Sequence, residues 1–183
     1  HISSKSSVEL IRQAKARGVK VSAETCPHYF VLTDEACRGY QTYAKVNPPL
    51  KHEADRLAII EGLVDGTIDV IATDHAPHEE DSKKVPFPQA ANGLIGLETA
   101  LALSYTNLVE GGHLSLFELI QLMSTRPSEL LKLPHGNLEP GSPADFFLFD
   151  TEEVWAWDPK ERYSKSKNSP FEGHPLKGRV QAT

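Results

Sequence analysis

The chain has 183 residues, of which 39% are hydrophobic and 24% charged, and its formal net charge is −6 at pH 7. This length suits one sizeable core and argues against two full domains. The acidic balance disfavours a nucleic-acid partner, which needs a basic face, and no apolar run approaches the roughly 18 residues of a membrane span.

The first 73 residues alternate between helical and strand patterns. Ser6-Ser7-Val8-Glu9 has the form of a capping box and predicts a helix that continues to Gly18. The strand patterns are short alternating or apolar runs, at 19–25, 43–47 and 68–73. A second helix is predicted over 53–64, with Leu57, Ile60 and Leu63 on one face. This order predicts βαβ crossovers and a parallel sheet in which the three strands are neighbours.

The second half of the chain changes from helical to β-rich. A long polar loop over 79–92 precedes a helix predicted over 97–109, and Ser115-Leu116-Phe117-Glu118 is a capping box that opens another helix. From residue 136 onward glycine and proline are frequent. Strand patterns follow at 144–150 and 154–157, and a further one begins at 178. This tail is typical of a small β element packed against helices.

Polar residues cluster just after the predicted strands, which is where catalytic groups gather in a parallel α/β barrel. His28 follows the first strand, Asn47 ends the second, and Asp74 and His78 follow the third. His1 would occupy the same place if a strand preceded it. Neutral imidazole nitrogen and carboxylate oxygen suit Zn²⁺, and an open position for water makes such a site catalytic. The spacing favours a metallohydrolase, and isolated surface histidines remain the alternative.

The two cysteines, Cys26 and Cys37, favour a reducing cytoplasm over a disulfide scaffold. Cys26 is interpreted as a buried small side chain rather than a metal ligand, because no second cysteine lies at CxxC spacing. The remaining histidines outside the strand ends are assigned to the surface; they are His52, His113, His135 and His174.

Four motifs resemble segments of the cyclic amidohydrolases, and most closely of their dihydroorotase family. They begin with His1-Ile-Ser and continue with Glu24-Thr-Cys-Pro-His28, Ala72-Thr-Asp74-His-Ala-Pro-His78 and Gly136-Asn-Leu-Glu-Pro-Gly-Ser-Pro-Ala-Asp145. In addition, Asn47-Pro-Pro-Leu-Lys51 is similar to the Asn-Pro-Pro-Leu-Arg pattern of that family, whereas allantoinases tend to have a Cys-Ala-Pro-Pro form. The resemblance implies an α/β chain: the C-terminal part of a (β/α)₈ TIM-type metallohydrolase barrel over 1–135 and part of a small β-sandwich subdomain over 136–183.

The resemblance also implies a role for each matching residue. The metal ligands would be His1, His28 and Asp74, with one or two Zn²⁺ ions in the complete enzyme. The substrate would be held by Asn47, His78, Asn92 and Gly93. Asp74 would also act as general base and general acid.

The implied reaction is the reversible cyclisation of N-carbamoyl-L-aspartate to L-dihydroorotate in pyrimidine synthesis, in the cytoplasm. The family's His-x-His pair and its bridging ligand from the fourth strand are not in this sequence. We therefore expect a C-terminal half that is inactive alone. The alternatives are allantoinase or another cyclic amidohydrolase, and a non-catalytic dihydroorotase-like scaffold for aspartate transcarbamoylase. A homo-oligomer remains open, and neither nucleic acid nor membrane is an expected partner.

Overall fold

The computed structural model describes residues 1–182 as helices combined with two small sheets. The helices are α1 (Lys5–Ala16), α2 (Pro27–Val31), α3 (Glu53–Val64), α4 (Glu80–Lys83), α5 (Ala100–Ser104), α6 (Leu116–Ile120) and α7 (Arg126–Leu131). The strands are β1 (Glu24–Thr25), β2 (Val70–Ile71), β3 (Leu148–Ala156) and β4 (Pro175–Ala182). There are 3₁₀ turns at Asp34–Cys37 and Thr42–Ala44, and π-helical turns at Tyr105–Val109 and Gln121–Thr125 continue α5 and α6.

The first sheet is the parallel pair β1–β2, with Glu24 opposite Val70. The first and third predicted strands are therefore parallel neighbours, which confirms that part of the prediction. Both strands are shorter than the patterns at 19–25 and 68–73. At the start of the ladder, the N–H of Ala23 donates to the carboxylate of Asp69 (2.8 Å) rather than to a backbone carbonyl. Regular pairing consequently begins only at Glu24.

The strand predicted over 43–47 is wrong. Thr42–Ala44 form a 3₁₀ turn, and the next residue, Lys45, accepts a backbone hydrogen bond from the N–H of Gly93 (2.9 Å). Pro48 and Pro49 follow and have no N–H to donate, so a ladder cannot continue past this point. The segment lies beside residue 93 without becoming a strand.

The first helix begins earlier than its predicted capping box. Ser4 is the N-cap residue, and its hydroxyl accepts from the N–H of Ser7 (3.3 Å). Glu9 instead accepts from the side chain of Arg12, so a capping box at Ser6 is wrong. The box at Ser115–Glu118 is confirmed in both of its reciprocal hydrogen bonds.

Helix α3 has the predicted bounds but a different buried face. Ile59, Ile60 and Leu63 are buried, whereas Leu57 is 44% exposed. The helix packs against both α1 and α2, so its apolar contact is turned away from Leu57. The identity of the buried residues was therefore decided by two neighbouring helices and not by helical periodicity alone.

The C-terminal part is an antiparallel β3–β4 pair packed on the helices. The predicted strand at 144–150 begins later, at Leu148, and continues to Ala156, so it includes all but the last residue of the strand predicted at 154–157. The strand expected from residue 178 is confirmed by β4. The Phe149 ring meets the Tyr105 ring edge-on at 5.4 Å between centroids. The helix predicted over 97–109 begins at Ala100, because the preceding residues form a turn on the carbonyl of Gly96. The division into 1–135 and 136–183 stays a prediction.

Two groups of buried apolar side chains form the core. One joins α1, α3 and the helices after residue 105 through side chains such as Val8, Ile59 and Leu108. The other lies between α2, α5 and the β3–β4 pair and includes Tyr29, Leu103 and Phe171. Within residues 1–182, no helix is long and apolar enough to cross a membrane.

Candidate active site

His1 lies at the carboxyl end of β1, although it precedes α1 in the chain. The N–H of Ile2 donates to the carbonyl of Glu24 (2.8 Å), and the hydroxyl of Thr25 donates to the carbonyl of Ile2 (2.7 Å). These bonds place the His1 ring between two carboxylates. Its Nδ1 contacts Glu24, and its Nε2 lies 3.4 Å from Oδ1 of Asp74. Two of the three predicted metal ligands, His1 and Asp74, are thus side by side.

Asp74 lies three residues after β2 in a left-handed backbone conformation, with φ of 46°. Aspartate is among the non-glycine residues that tolerate this region best. Burial, and secondarily the charge of Glu24, raises the pKa of the Asp74 carboxyl above its ordinary value. A carboxylate in this environment accepts a proton more readily than one in water, which suits a general base.

His28, the third predicted ligand, occupies the first turn of α2 and is 1% exposed. Its Nε2 is buried and has no hydrogen-bond partner in the described chain. Burial lowers the pKa of His28 to about 4, so the ring is neutral at pH 7. A neutral imidazole with a free, buried nitrogen is the state in which histidine binds a metal. The donor types of His28, His1 and Asp74 suit a divalent cation such as Zn²⁺. Among the described residues, however, the group whose ligand atoms all lie within 4.8 Å of one another is His1, Glu24 and Cys26, and it includes neither His28 nor Asp74.

Glu24 and Cys26 are near the site, although neither was among the predicted site residues. Cys26 follows β1 with an extended backbone (φ −123°, ψ 153°), so its side chain and that of Glu24 point to the same side. Ligand atoms of His1, Glu24 and Cys26 all lie within 4.8 Å of one another. Cys26 is fully buried, as the sequence suggested, and burial together with Glu24 raises the pKa of its thiol. Glu24 and Cys26 are two residues apart at the carboxyl end of the first predicted strand, and this spacing could have identified them as neighbours of the site.

Three of the four predicted substrate-binding residues, His78, Asn92 and Gly93, lie together. The ring of His78 donates from Nε2 to the backbone carbonyl of Asn92 (2.8 Å). Gly93 has φ of +124°, and a Cβ at this position would lie 2.6 Å from the Cβ of Ala76 and 3.2 Å from Nε2 of His78. Only glycine lets the backbone come this close to His78. The structure therefore brings together His78, Asn92 and Gly93.

Asn47 is exposed, in the loop between the 3₁₀ turn at residues 42–44 and α3. The next residue, Pro48, accepts a hydrogen bond at its carbonyl from the hydroxyl of Tyr29 (2.7 Å), and Tyr29 adjoins His28 in α2. Gly93 in turn bonds to the carbonyl of Lys45. The Asn47 segment is thus tied to the His28 helix on one side and to the Gly93 segment on the other.

His75 has a structural role between these groups. Its Nδ1 accepts hydrogen bonds from the backbone N–H groups of Gly96 (3.1 Å) and Leu97 (3.3 Å). An accepting Nδ1 leaves the proton on Nε2 in the neutral ring. The bonds hold the start of the loop after β2 against the turn that precedes α5.

The chain matches the model of a known enzyme family. A family model described as the amidohydrolase family matches residues 2–183. The chain therefore belongs to the amidohydrolase family, a family of metal-dependent hydrolases.

Comparison with individual proteins narrows the class. The chain is 57% identical over its 183 residues to the dihydroorotase of Acetivibrio thermocellus and 54% identical to that of Syntrophotalea carbinolica. It covers 43% of the length of each, so it spans less than half of these relatives. Among solved structures it is similar to the L-hydantoinase (dihydropyrimidinase) of Arthrobacter aurescens, with a TM-score of 0.92, 33% identity and coverage of 100% of this chain and 42% of the other. The D-hydantoinase (dihydropyrimidinase) of a Thermus species gives a TM-score of 0.90 at 28% identity, with coverage of 98% and 41%.

Proposed function

We propose that this chain is part of a dihydroorotase that interconverts N-carbamoyl-L-aspartate and L-dihydroorotate with the help of Zn²⁺. The observation that carries the proposal is the placement of Asp74 beside His1, in the same strand-end region as the buried, unpartnered Nε2 of His28. The identity of 54–57% to dihydroorotases supports the choice of ring. We place the site at the carboxyl ends of the strands of a (β/α)₈ barrel, with the segment after residue 136 in a β-sandwich subdomain.

In this proposal His1, His28 and Asp74 hold one or two Zn²⁺ ions. Bound zinc supplies Lewis-acid polarisation and lowers the pKa of water at the site. The other parts of the reaction belong to side chains of the chain itself. Asp74 takes a proton from the attacking water and returns it to the ring nitrogen as the amide C–N bond breaks.

The substrate is held by the group of residues around His78. His78 uses its Nε2–H on the carbonyl of Asn92, so its Nδ1 is the ring atom left for a ligand. A substrate carboxylate accepts hydrogen bonds but cannot donate one, so its binding at Nδ1 requires His78 to carry a second proton. We assign to His78 the binding of the substrate carboxylate. Asn47 and the backbone of Asn92 and Gly93 complete the pocket.

We propose that the substrate is a small cyclic amide and that the protein acts in the cytoplasm. A homo-oligomer and a complex with aspartate transcarbamoylase remain proposals of the same kind. Because the chain spans 43% of its dihydroorotase relatives, the proposed activity concerns the complete protein and not this chain alone.

The test is a substrate comparison with the full-length, zinc-loaded protein that carries this sequence. We expect ring opening of L-dihydroorotate and closure of N-carbamoyl-L-aspartate, with allantoin and hydantoin as competing substrates. Faster turnover of allantoin or hydantoin would assign the chain to another cyclic amidohydrolase. A folded, zinc-loaded protein that turns over none of the rings would leave the scaffold role as the better explanation.

A further inference from the structure

Asn168 is a buried amide in the long connection between β3 and β4, and it is 1% exposed. Its Nδ2 donates to the carbonyls of Ala76 (3.0 Å) and Gly93 (3.1 Å), and its Oδ1 accepts from the N–H of His78 (3.2 Å). The backbone carbonyl of Asn168 also accepts from the N–H of Ile95 (3.0 Å). Both amide hydrogens and the amide oxygen are therefore used by backbone groups.

The three backbone groups that bond to the side-chain amide belong to the two segments that form the proposed substrate pocket. Residues 76–78 follow β2, and residue 93 lies at the far end of the loop that begins at residue 79. The ring of His78 spans the same gap with its bond to the carbonyl of Asn92. A single buried side chain, 90 residues beyond His78, thus holds both walls of the pocket at a set separation.

We propose that Asn168 is a positioning residue that fixes the distance between His78 and Gly93 for substrate binding. The inference rests on the proposed function and deepens it by adding a residue from outside the recognised motifs. Asn168 acts through the backbone of the pocket and does not itself touch the reacting atoms.

The chemistry of the position requires an amide. Two carbonyl oxygens accept from this side chain and one N–H donates to it, and the amide of asparagine supplies all three partners at this length. The carbonyl of Gly93 also accepts from Nζ of Lys83 (2.9 Å). Aspartate has nearly the same shape, but an ionised carboxylate would place oxygen against the carbonyls of Ala76 and Gly93. It would keep the bond from the N–H of His78 and lose the other two. Asn168→Asp therefore removes the two hydrogen bonds that the amide donates and keeps the one that it accepts.

The experiment compares Asn168→Asp with Asn137→Asp in the full-length, zinc-loaded protein. Asn137 is an exposed asparagine whose Oδ1 accepts from the N–H of Glu139 (3.1 Å) in a turn away from the pocket. Steady-state kinetics on L-dihydroorotate are combined with hydrogen exchange of the peptides covering residues 73–80 and 91–97.

For Asn168→Asp we expect KM to rise by about tenfold or more while kcat stays within about threefold, since binding is uniformly weakened and proton transfer is untouched. We also expect faster exchange in the peptide 91–97. Asn137→Asp should change neither quantity. A loss of thermal stability without a change in KM would mean that Asn168 is only structural and would overturn the proposal, as would a fall in kcat at constant KM.

The two measurements separate failure of the positioning role from failure of the proposed function. If the wild-type protein does not act on L-dihydroorotate, the function fails, and the exchange measurement still decides whether Asn168 couples the two segments. If Asn168→Asp does not fold, Asn168→Gln keeps both donors and the acceptor on a stem one methylene longer. Unchanged exchange and KM in Asn168→Gln would then refute the positioning role.

Discussion

Replacing Asp74 by asparagine tests the proposed proton transfer most directly. Asparagine has almost the same size as aspartate and tolerates the left-handed backbone at this position, where φ is 46°. The main interaction of the carboxylate in the structure is with Nε2 of His1, at 3.4 Å. The substitution therefore removes the charge and the proton-accepting oxygen while leaving the packing nearly unchanged.

The expected loss in turnover is at least about 10²-fold, because general acid–base groups contribute roughly 10²–10⁴-fold. A factor of about 10² corresponds to ~2.7 kcal/mol of transition-state stabilisation. The loss of a metal-ligand charge adds to this effect. The fall is expected in kcat, since the proton is transferred in the chemical step and not on substrate binding.

Whereas turnover should fall, the thermal stability of the metal-free protein should stay the same or rise in Asp74→Asn. Burial raises the pKa of Asp74, so the folded protein favours the protonated carboxyl more than the unfolded chain does. The contribution of this group to stability is complete below its unfolded pKa and is lost as the pH rises through the folded pKa. At pH 7 the charged carboxylate is therefore a cost in the metal-free protein. Asp74→Asn should melt at the same temperature as the wild type or higher.

The assay is steady-state hydrolysis of L-dihydroorotate by the full-length protein, with a melting curve of the metal-free form. Asp81→Asn, a change of the same chemistry at an exposed position of α4, is the matched control and should leave both measurements unchanged. A folded Asp74→Asn protein with close to full turnover would refute the reasoning, because the general base would then lie elsewhere.

Three further predictions concern the core, a helix–strand contact and the metal. Ile59→Ala, at a fully buried position of α3, should lower the free energy of unfolding by about 2–5 kcal/mol. Leu57→Ala, on the exposed face of the same helix, should change it by less than about 0.5 kcal/mol. Equal effects of the two substitutions in urea titrations would contradict the described packing. Asp69→Ala removes the acceptor of Lys15 (2.7 Å) and of a backbone N–H ahead of β1, and chemical denaturation should show a loss of about 1–3 kcal/mol without a change in turnover per folded molecule. His28→Gln should reduce the zinc retained by the full-length protein after dialysis, measured by atomic absorption, and full retention would exclude His28 as a ligand.

Much of the local structure was predictable from the sequence because its causes are local. The bounds of α3 and the capping box at Ser115 depend on residues within one or two turns of a helix. The polar residues after the first and third predicted strands were recognisable for a similar reason. A parallel pair brings its carboxyl ends to one edge, so His28 and Asp74 were expected in one region before any contact was known.

The tertiary structure decided the features that depend on distant neighbours. The exposure of Leu57 follows from two helices packing on α3, and the missing strand at 43–47 follows from the lack of a partner beyond one bond to Gly93. Asn168 lies 90 residues beyond His78, and no periodicity or cap signals that its amide spans two segments of the pocket. Contacts over such separations depend on how the whole chain packs, whereas the sequence by itself determined the residue types that those contacts use.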